Sequence, residues 1–240
     1  MDHKALIFQN ASGEGPGILA DCLQNRGWDR EDILLYRGDN ISEKWRGHSL
    51  LIVMGGPMNV YEEDAYPFLR QETEVIRKAI RTGLPVMGFC LGVQLMAKAL
   101  GARVKKGHKK EIGWYSVHLT EKGLQDPTLK SFPEESVVFQ WHADTFELPK
   151  EATRIFSSEN YPNQAIRIGD MNYGFQFHFE ITADMIAEWI KNGMDEIAEM
   201  QVEDLNETII READIYLPKA HSLAESFFNN YLEIIEVREG

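Results

Sequence analysis

Pro85-Val86-Met87-Gly88-Phe89-Cys90-Leu91-Gly92-Val93-Gln94 is the stretch on which the reading of this chain turns. Pro85–Phe89 is a short apolar run without alternation, as expected of a strand covered on both faces of a sheet. From Leu91 to Leu100 the spacing becomes helical and stops at Gly101. The junction reads G-x-Cys-x-G, a nucleophile elbow with cysteine in the serine place. A sharp strand-to-helix turn strains the backbone at its middle residue, and flanking glycines remove side chains that would collide there. The thiol falls at a helix N-terminus, where the dipole favours an anion, and the Leu91 amide faces the place where an oxyanion would form. A buried structural cysteine in a βα turn is the plain alternative; the two glycines weigh against it.

Outward from this junction, short apolar runs alternate with helix-period segments, the pattern of an open, largely parallel α/β sheet flanked by helices. Strands are read at Ala5–Gln9, Ile33–Tyr36 and Leu50–Met54, and helices at Ile18–Asn25 and Tyr66–Thr82, the latter stopped by Gly83. The middle of the chain is richer in strands: Trp114–Leu119, Ser136–Trp141, Thr153–Ser157, Gln164–Ile168 and Tyr173–Phe179, separated by Gly, Pro or Asn turns. Beyond Glu180, Thr182–Met200 and Leu217–Val237 read as helices with an acidic stretch between them. With no Pro/Gly/Ser-rich linker, repeat or low-complexity tract, one domain is expected over residues 1–240, its core at about 1–200 and a helical C-terminal extension at about 201–240.

A thiol nucleophile needs a base, and the base an orienting group. Phe177-His178-Phe179-Glu180 supplies both, because residues two apart on a strand face one side. Glu180 can thus reach the His178 ring while the phenylalanines point into the core. The pair lies at the carboxyl end of a strand, where open α/β sheets place their sites. Gly55-Gly56-Pro57 follows another buried strand, and the Gly56 N–H is a candidate second oxyanion donor, with a simple strand-ending turn as its alternative.

Composition narrows the partners. The 240 residues carry 25 basic and 38 acidic side chains, a net charge of −13, which repels phosphate backbones and argues against nucleic acid. Two cysteines make no disulfide framework and suit a reducing compartment. The start, MDHKALIFQN, has no signal-peptide pattern, and no apolar run reaches the roughly 20 residues of a membrane span, so a soluble, cytoplasmic protein is expected. The seven histidines have no metal-ligand spacing, and neither metal nor cofactor is expected. Gly15-Pro16-Gly17-Ile18-Leu19-Ala20, with Asp39 beyond it, mimics a dinucleotide fingerprint, but Pro16 lacks a phosphate-binding N–H. Lys105-Lys106-Gly107-His108-Lys109-Lys110 reads as a solvated loop, Cys22 as a packed small hydrophobe, and Phe227, Phe228, Tyr231, Leu232 and Ile235 as a helix face docking on the domain.

Together these residues resemble the class I (triad-type) glutamine amidotransferases, and among them stand-alone proteins similar to the glutaminase domain of GMP synthase. GEGPGILADCL, MGGPMNVYEEDAYPFLRQE, PVMGFCLGVQLMAKALGARV, EIGWYSVHLT, QWHADTFELP and FQFHFEIT resemble family segments in the same order. The resemblance implies a flavodoxin-like sheet, Cys90 as nucleophile, His178 as general base and acid, Glu180 as its orienting group, and Gly56 and Leu91 as oxyanion-hole amides. It further implies that Gln94 helps hold the amino-acid end of the substrate, and that Gln140, Trp141 and His142 lie where relatives offer backbone contacts to glutamine. Phe179 replaces the proline of the common His-Pro-Glu, and Trp141-His142-Ala143-Asp144 replaces Ser-His-Gly-Asp, which argues for the stand-alone branch. No synthetase domain or G-x-x-x-x-G-K-[ST] loop is read. The implied activity is hydrolysis of the glutamine side-chain amide through a Cys90 thioester, with a separate synthetase or ammonia-acceptor subunit as partner. A γ-glutamyl hydrolase or peptidase with the same triad and a non-enzymatic binding or regulatory module are the alternatives.

Overall fold

Alternation along the central strands sorts side chains into two cores. In β1 (Lys4–Gln9) Ala5 and Ile7 enter one while Leu6 and Phe8 enter the other; in β3 (Leu50–Val53) Leu50 and Ile52 separate from Leu51 and Val53 in the same way. A strand apolar on both faces is stable only between two layers, and helices supply them. The computed structural model describes residues 3–239. Within it β1, α1 (Ile18–Asn25), β2 (Asp29–Leu34), β3, α2 (Phe68–Thr82), β4 (Val86–Phe89) and α3 (Leu91–Ala99) alternate in βα order. There follow β5 (Val104–Leu119), the single turn α4 (Glu121–Leu124), β6 (Glu135–Phe146), β7 (Ala152–Ser157), β8 (Ala165–Ile168) and β9 (Asn172–Phe175). Three helices close the chain: α5 (Ala183–Asn192), α6 (Met194–Glu199) and α7 (Leu205–Glu239).

The strands form one sheet in the order β2-β1-β3-β4-β9-β8-β7-β5-β6. From β2 to β9 the neighbours run parallel; from β9 to β6 they run antiparallel. Chain-distant β4 and β9 are thereby adjacent, which brings the segment after Phe89 beside the segment after Phe175.

Several elements depart from their sequence expectations. The basic run 105–110 is the first half of β5 rather than a loop, paired with β6 across a register shift between Lys106 and Glu111. β9 ends at Phe175, and His178 holds its extended course through one isolated bridge to Phe139. The expected helix 182–200 breaks at Gly193, where a Cβ would stand 2.4 Å from the Trp141 ring. The last helix begins at Leu205, twelve residues before the sequence reading, and runs through Pro218. Among the described residues no helix is long and apolar enough to cross a membrane.

α7 belongs to the core. Ala224, Phe227, Phe228, Tyr231, Leu232 and Ile235 are fully buried against Phe89, Phe175 and Phe179. Its end is tied to the start of the chain: Trp28 donates to Glu236 at 2.8 Å, Arg26 pairs with the same carboxylate, and Ser49 donates to Glu239 at 2.7 Å. Phe228→Ala is therefore expected to cost about 3–5 kcal/mol of unfolding free energy, measured by urea denaturation. A loss below about 1 kcal/mol would show that α7 is peripheral.

Candidate active site

The β4–α3 junction explains its own sequence. Cys90 caps α3 with φ 48° and ψ −103°, a conformation few non-glycine residues adopt. A Cβ on Gly92 would lie 2.2 Å from the Val53 carbonyl oxygen, so the helix can sit against β3 only with glycine there. The Cys90 N–H donates to the Phe175 carbonyl at 2.8 Å, fastening the turn to β9.

On that side lies His178, whose N–H and C=O both bond to Phe139 of β6. Its Nδ1–H donates to Glu180 Oε1 at 2.7 Å, and Glu180 Oε2 accepts the Phe179 N–H at 3.0 Å. Both side chains are almost wholly buried. Burial opposes charge on the imidazole, yet the Glu180 carboxylate and the neighbouring Cys90 outweigh it and hold the His178 pKa well above the usual histidine value. Cys90 and His178 thus line one cavity, with Glu180 buried behind the imidazole. Among the described residues the Gly56 and Leu91 amides donate to no protein acceptor, and both residues line this cavity of about 440 Å³.

Other expected residues take more varied places. The Gln94 side chain lines the cavity but spends its amide on the Asp144 carbonyl at 3.3 Å and on Gln176 Oε1 at 3.1 Å. The Trp141 carbonyl faces the Cys90 sulfur at 3.6 Å. His142 borders the cavity, its ring held by Glu111 at 2.9 Å and by the Asp144 carbonyl. Gln140 does not reach it and is fully buried, donating to Gln164 at 2.8 Å. The fingerprint-like Gly17 serves packing: its N–H-bearing neighbour Ile18 donates to the Glu180 carbonyl at 2.9 Å, and a Gly17 Cβ would lie 1.9 Å from that oxygen.

Three residues beside the reacting groups went unread in the sequence, Glu14 and Trp189 in the cavity lining and Gln176 buried behind Cys90. Gln176 donates to the Cys90 sulfur at 3.5 Å, and its phase with His178 and Glu180 was the available signal. Trp189 sets its ring edge-on to His178 at 4.8 Å and donates to the Gly13 carbonyl at 3.0 Å. Glu14 projects over Gly55, where a Cβ would stand 2.3 Å from Glu14 Oε2 and 3.4 Å from His178 Cε1. Burial raises the Glu14 pKa to about 7, with His178 pulling it down and Glu180 pushing it up. Trp189 stands in none of the family-like segments, and Glu14 lies within GEGPGILADCL without a local signal for its role; each reaches the site only through the tertiary fold.

A cysteine on a βα elbow stands beside a buried histidine–carboxylate pair at the carboxyl edge of an α/β sheet, an arrangement that fits triad-type thiol chemistry. The comparisons with known proteins carry this to a family. Residues 19–197 match the profile of the Glutamine amidotransferase class-I family. The chain is 34% identical over 193 residues to the glutamine amidotransferase-like protein YfeJ of Salmonella typhimurium, covering 79% of this chain and 81% of that one. It is 34% identical over 201 residues to the glutamine-hydrolyzing GMP synthase of Thermosipho melanesiensis, covering 82% of this chain but only 37% of the relative's length. In structure it superposes on a glutamine amidotransferase of Thermotoga maritima with a TM-score of 0.88 at 32% identity, covering 97% of this chain and 99% of that one. A glutamine amidotransferase of Methylobacillus flagellatus gives 0.88 at 31% identity, covering 97% and 95%. The chain belongs to the class I glutamine amidotransferase family.

Taking away the Glu14 carboxylate removes a negative charge beside the imidazole. Glu14→Gln is expected to shift the His178 titration to lower pH, followed through the Cε1 proton by NMR. An unmoved midpoint would separate the two groups electrostatically.

Proposed function

We propose that the protein hydrolyses the side-chain amide of glutamine through a γ-glutamyl thioester on Cys90. The observation that carries this reading is the meeting of the strained Cys90 elbow with the buried His178–Glu180 pair. The Cys90 sulfur attacks the carboxamide carbon, and the resulting oxyanion is received by the Gly56 and Leu91 N–H groups. His178 gives its proton to the departing nitrogen, so ammonia leaves and the thioester remains. His178 then takes a proton from water, which adds to the thioester and releases glutamate. Glu180 keeps the imidazole oriented and stabilises its charged form. By analogy with the glutamine-hydrolyzing GMP synthases, the ammonia would pass to a separate synthetase-type acceptor subunit, in a reducing cytoplasm that keeps the thiol free.

The size of the cavity favours a second reading of the substrate. It continues past Cys90 to Lys106, Lys110, Trp189 and Glu196, with room for a leaving group larger than ammonia. A γ-glutamyl amide or peptide would use the same thioester chemistry.

Cys90→Ala is expected to abolish turnover, and His178→Ala to lower kcat by about 10²–10⁴, the usual worth of general acid–base help. Gln94→Ala should do far less. Mass spectrometry of protein quenched during turnover should find the γ-glutamyl adduct on Cys90; steady hydrolysis by Cys90→Ala would end the proposal. Equal concentrations of glutamine and a panel of γ-glutamyl peptides decide the substrate. A higher kcat/KM for any peptide selects the second reading, and turnover of glutamine alone removes it.

A further inference from the structure

Outside the cavity, one buried carboxyl has no role in the chemistry above. Glu72 lies on the inner face of α2 and is fully buried. Neither of its oxygens finds a donor of good geometry, nor does Oδ1 of Asn10, the polar side chain it meets. Three buried acceptors without a donor are costly, and in one place they point to a proton.

The groups packed around Glu72 supply no compensating charge. The segment Met54–Val60 and strand β4 contain no charged residue. Lys98 on α3 is held by the Val60 carbonyl and by Glu63 at 2.7 Å, and Arg77 on α2 by the Ala99 carbonyl at 2.9 Å and by Glu74. Burial accordingly pushes the Glu72 pKa up to about 8, with Asn10 drawing it the other way.

A neutral carboxylic acid and a primary amide are complementary at two points. The acid O–H donates to the amide oxygen, and the acid carbonyl accepts one amide N–H. All three orphan oxygens are then used, and the second Nδ2 hydrogen of Asn10 stays on the Met54 carbonyl, to which it donates at 3.0 Å. Met54 immediately precedes Gly55-Gly56, and the Asn10 Cβ is 3.1 Å from the point a Gly56 Cβ would occupy. We propose that uncharged Glu72, paired acid-to-amide with Asn10, is a positioning residue that fixes the Met54–Gly56 backbone and so aims the Gly56 N–H at the oxyanion.

The catalytic part of this inference rests on the thioester reading of Cys90. When Glu72 ionises, its O–H donor is lost and its oxygens face Asn10 Oδ1; the amide turns, the Met54 carbonyl is released and the Gly56 N–H loses its aim. The effect falls on kcat rather than KM, because the oxyanion exists only in the transition state and intermediate. The linkage has a definite sign. The folded-state pKa is raised, so between the ordinary carboxyl range and about 8 the native state holds a proton that the unfolded chain has released. The contribution of Glu72 to stability is whole below that window, declines with rising pH across it and levels off above it.

The test compares wild type, Glu72→Gln and Glu72→Met in three measurements. In the first, wild-type kcat for glutamine should fall above about pH 8 with KM nearly constant. Glu72→Gln, whose amide can bond Asn10 at any pH, should stay within about threefold of wild type at neutral pH and lack this alkaline limb; Glu72→Met should lose about tenfold or more. In the second, the infrared difference spectrum of wild type minus Glu72→Gln should show a protonated-carboxyl band at neutral pH that vanishes in alkali. In the third, the urea midpoint of wild type should decline relative to Glu72→Gln between about pH 5 and 8. No carboxyl band at neutral pH, or the same alkaline limb in Glu72→Gln as in wild type, overturns the proposal. A wild type that shows the band but never turns over glutamine overturns the reaction reading instead, and leaves the Glu72 proton to the spectrum and the unfolding curve. If Glu72→Met fails to fold, the Gln variant decides alone.

Discussion

Three parallel contacts join β4 to β9, Met87 with Tyr173, Gly88 with Gly174 and Phe89 with Phe175, and they set the phase of both strands at their carboxyl ends. The sulfur and the imidazole meet because of this phase. A slip of one residue would turn Gln176, His178 and Glu180 into the core and bring Phe177 and Phe179 out to the cavity. The register is well defended. Phe175, Phe177 and Phe179 interlock with Phe89, Phe156, Phe227 and Phe228, and any slip would strand this aromatic layer in contact with water. Gly174 adds a steric lock, since a Cβ there would stand 2.3 Å from Val93 on α3.

The same packing sets the electrostatics. A buried imidazole–carboxylate pair is expensive to desolvate and is retained where its charge has work to do. Here the expense is offset by the 2.7 Å bond within the pair, the Phe179 N–H on Glu180 and the interaction with Cys90. Trp189 closes over the ring and is itself anchored to the Gly13 carbonyl, so the loop carrying Glu14 and the helix carrying Trp189 form one wall. The cavity is therefore acidic near the imidazole and mixed farther out, where Lys110 bridges Glu196 at 3.2 Å and Glu199 at 2.8 Å.

Much of this was legible because it is local. The elbow at 88–92, the alternation from Phe175 to Glu180 and the glycine pair at 55–56 each follow from what one turn or one strand must do, and from them Gly56, Cys90, Leu91 and His178 reach a single cavity. The strand and helix order was readable from periodicity for the same reason. What escaped depends on distant partners. The basic residues 105–110 read as a solvated loop; Lys105, Lys106, His108 and Lys109 are indeed exposed, but the run is strand, with Lys105 and Lys106 paired to β6 and Lys110 held by two glutamates on α6. Residues 205–216 read as part of an acidic stretch between two helices, but they are helical, with Ile209 buried and the Trp114 indole donating to the Ile209 carbonyl at 3.2 Å. Gln140 shares its strand and its phase with His142, but its amide is spent on Gln164, in a buried polar network with Glu111, and it does not reach the cavity. Gly17, in a stretch shaped like a phosphate loop, instead accommodates the backbone of Glu180.

The aromatic layer over the β4–β9 seam draws Phe227, Phe228 and Tyr231 from the last turns of the chain, while Glu236 and Glu239 clasp residues near its beginning. Closing loops of that length is slow and comes late in folding. The first βα units can assemble from local contacts, but the seam beneath Cys90 stays uncovered until α7 docks on it. A chain whose α7 has not yet docked therefore presents a broad aromatic surface to water, the kind of surface that chaperones bind and proteases reach.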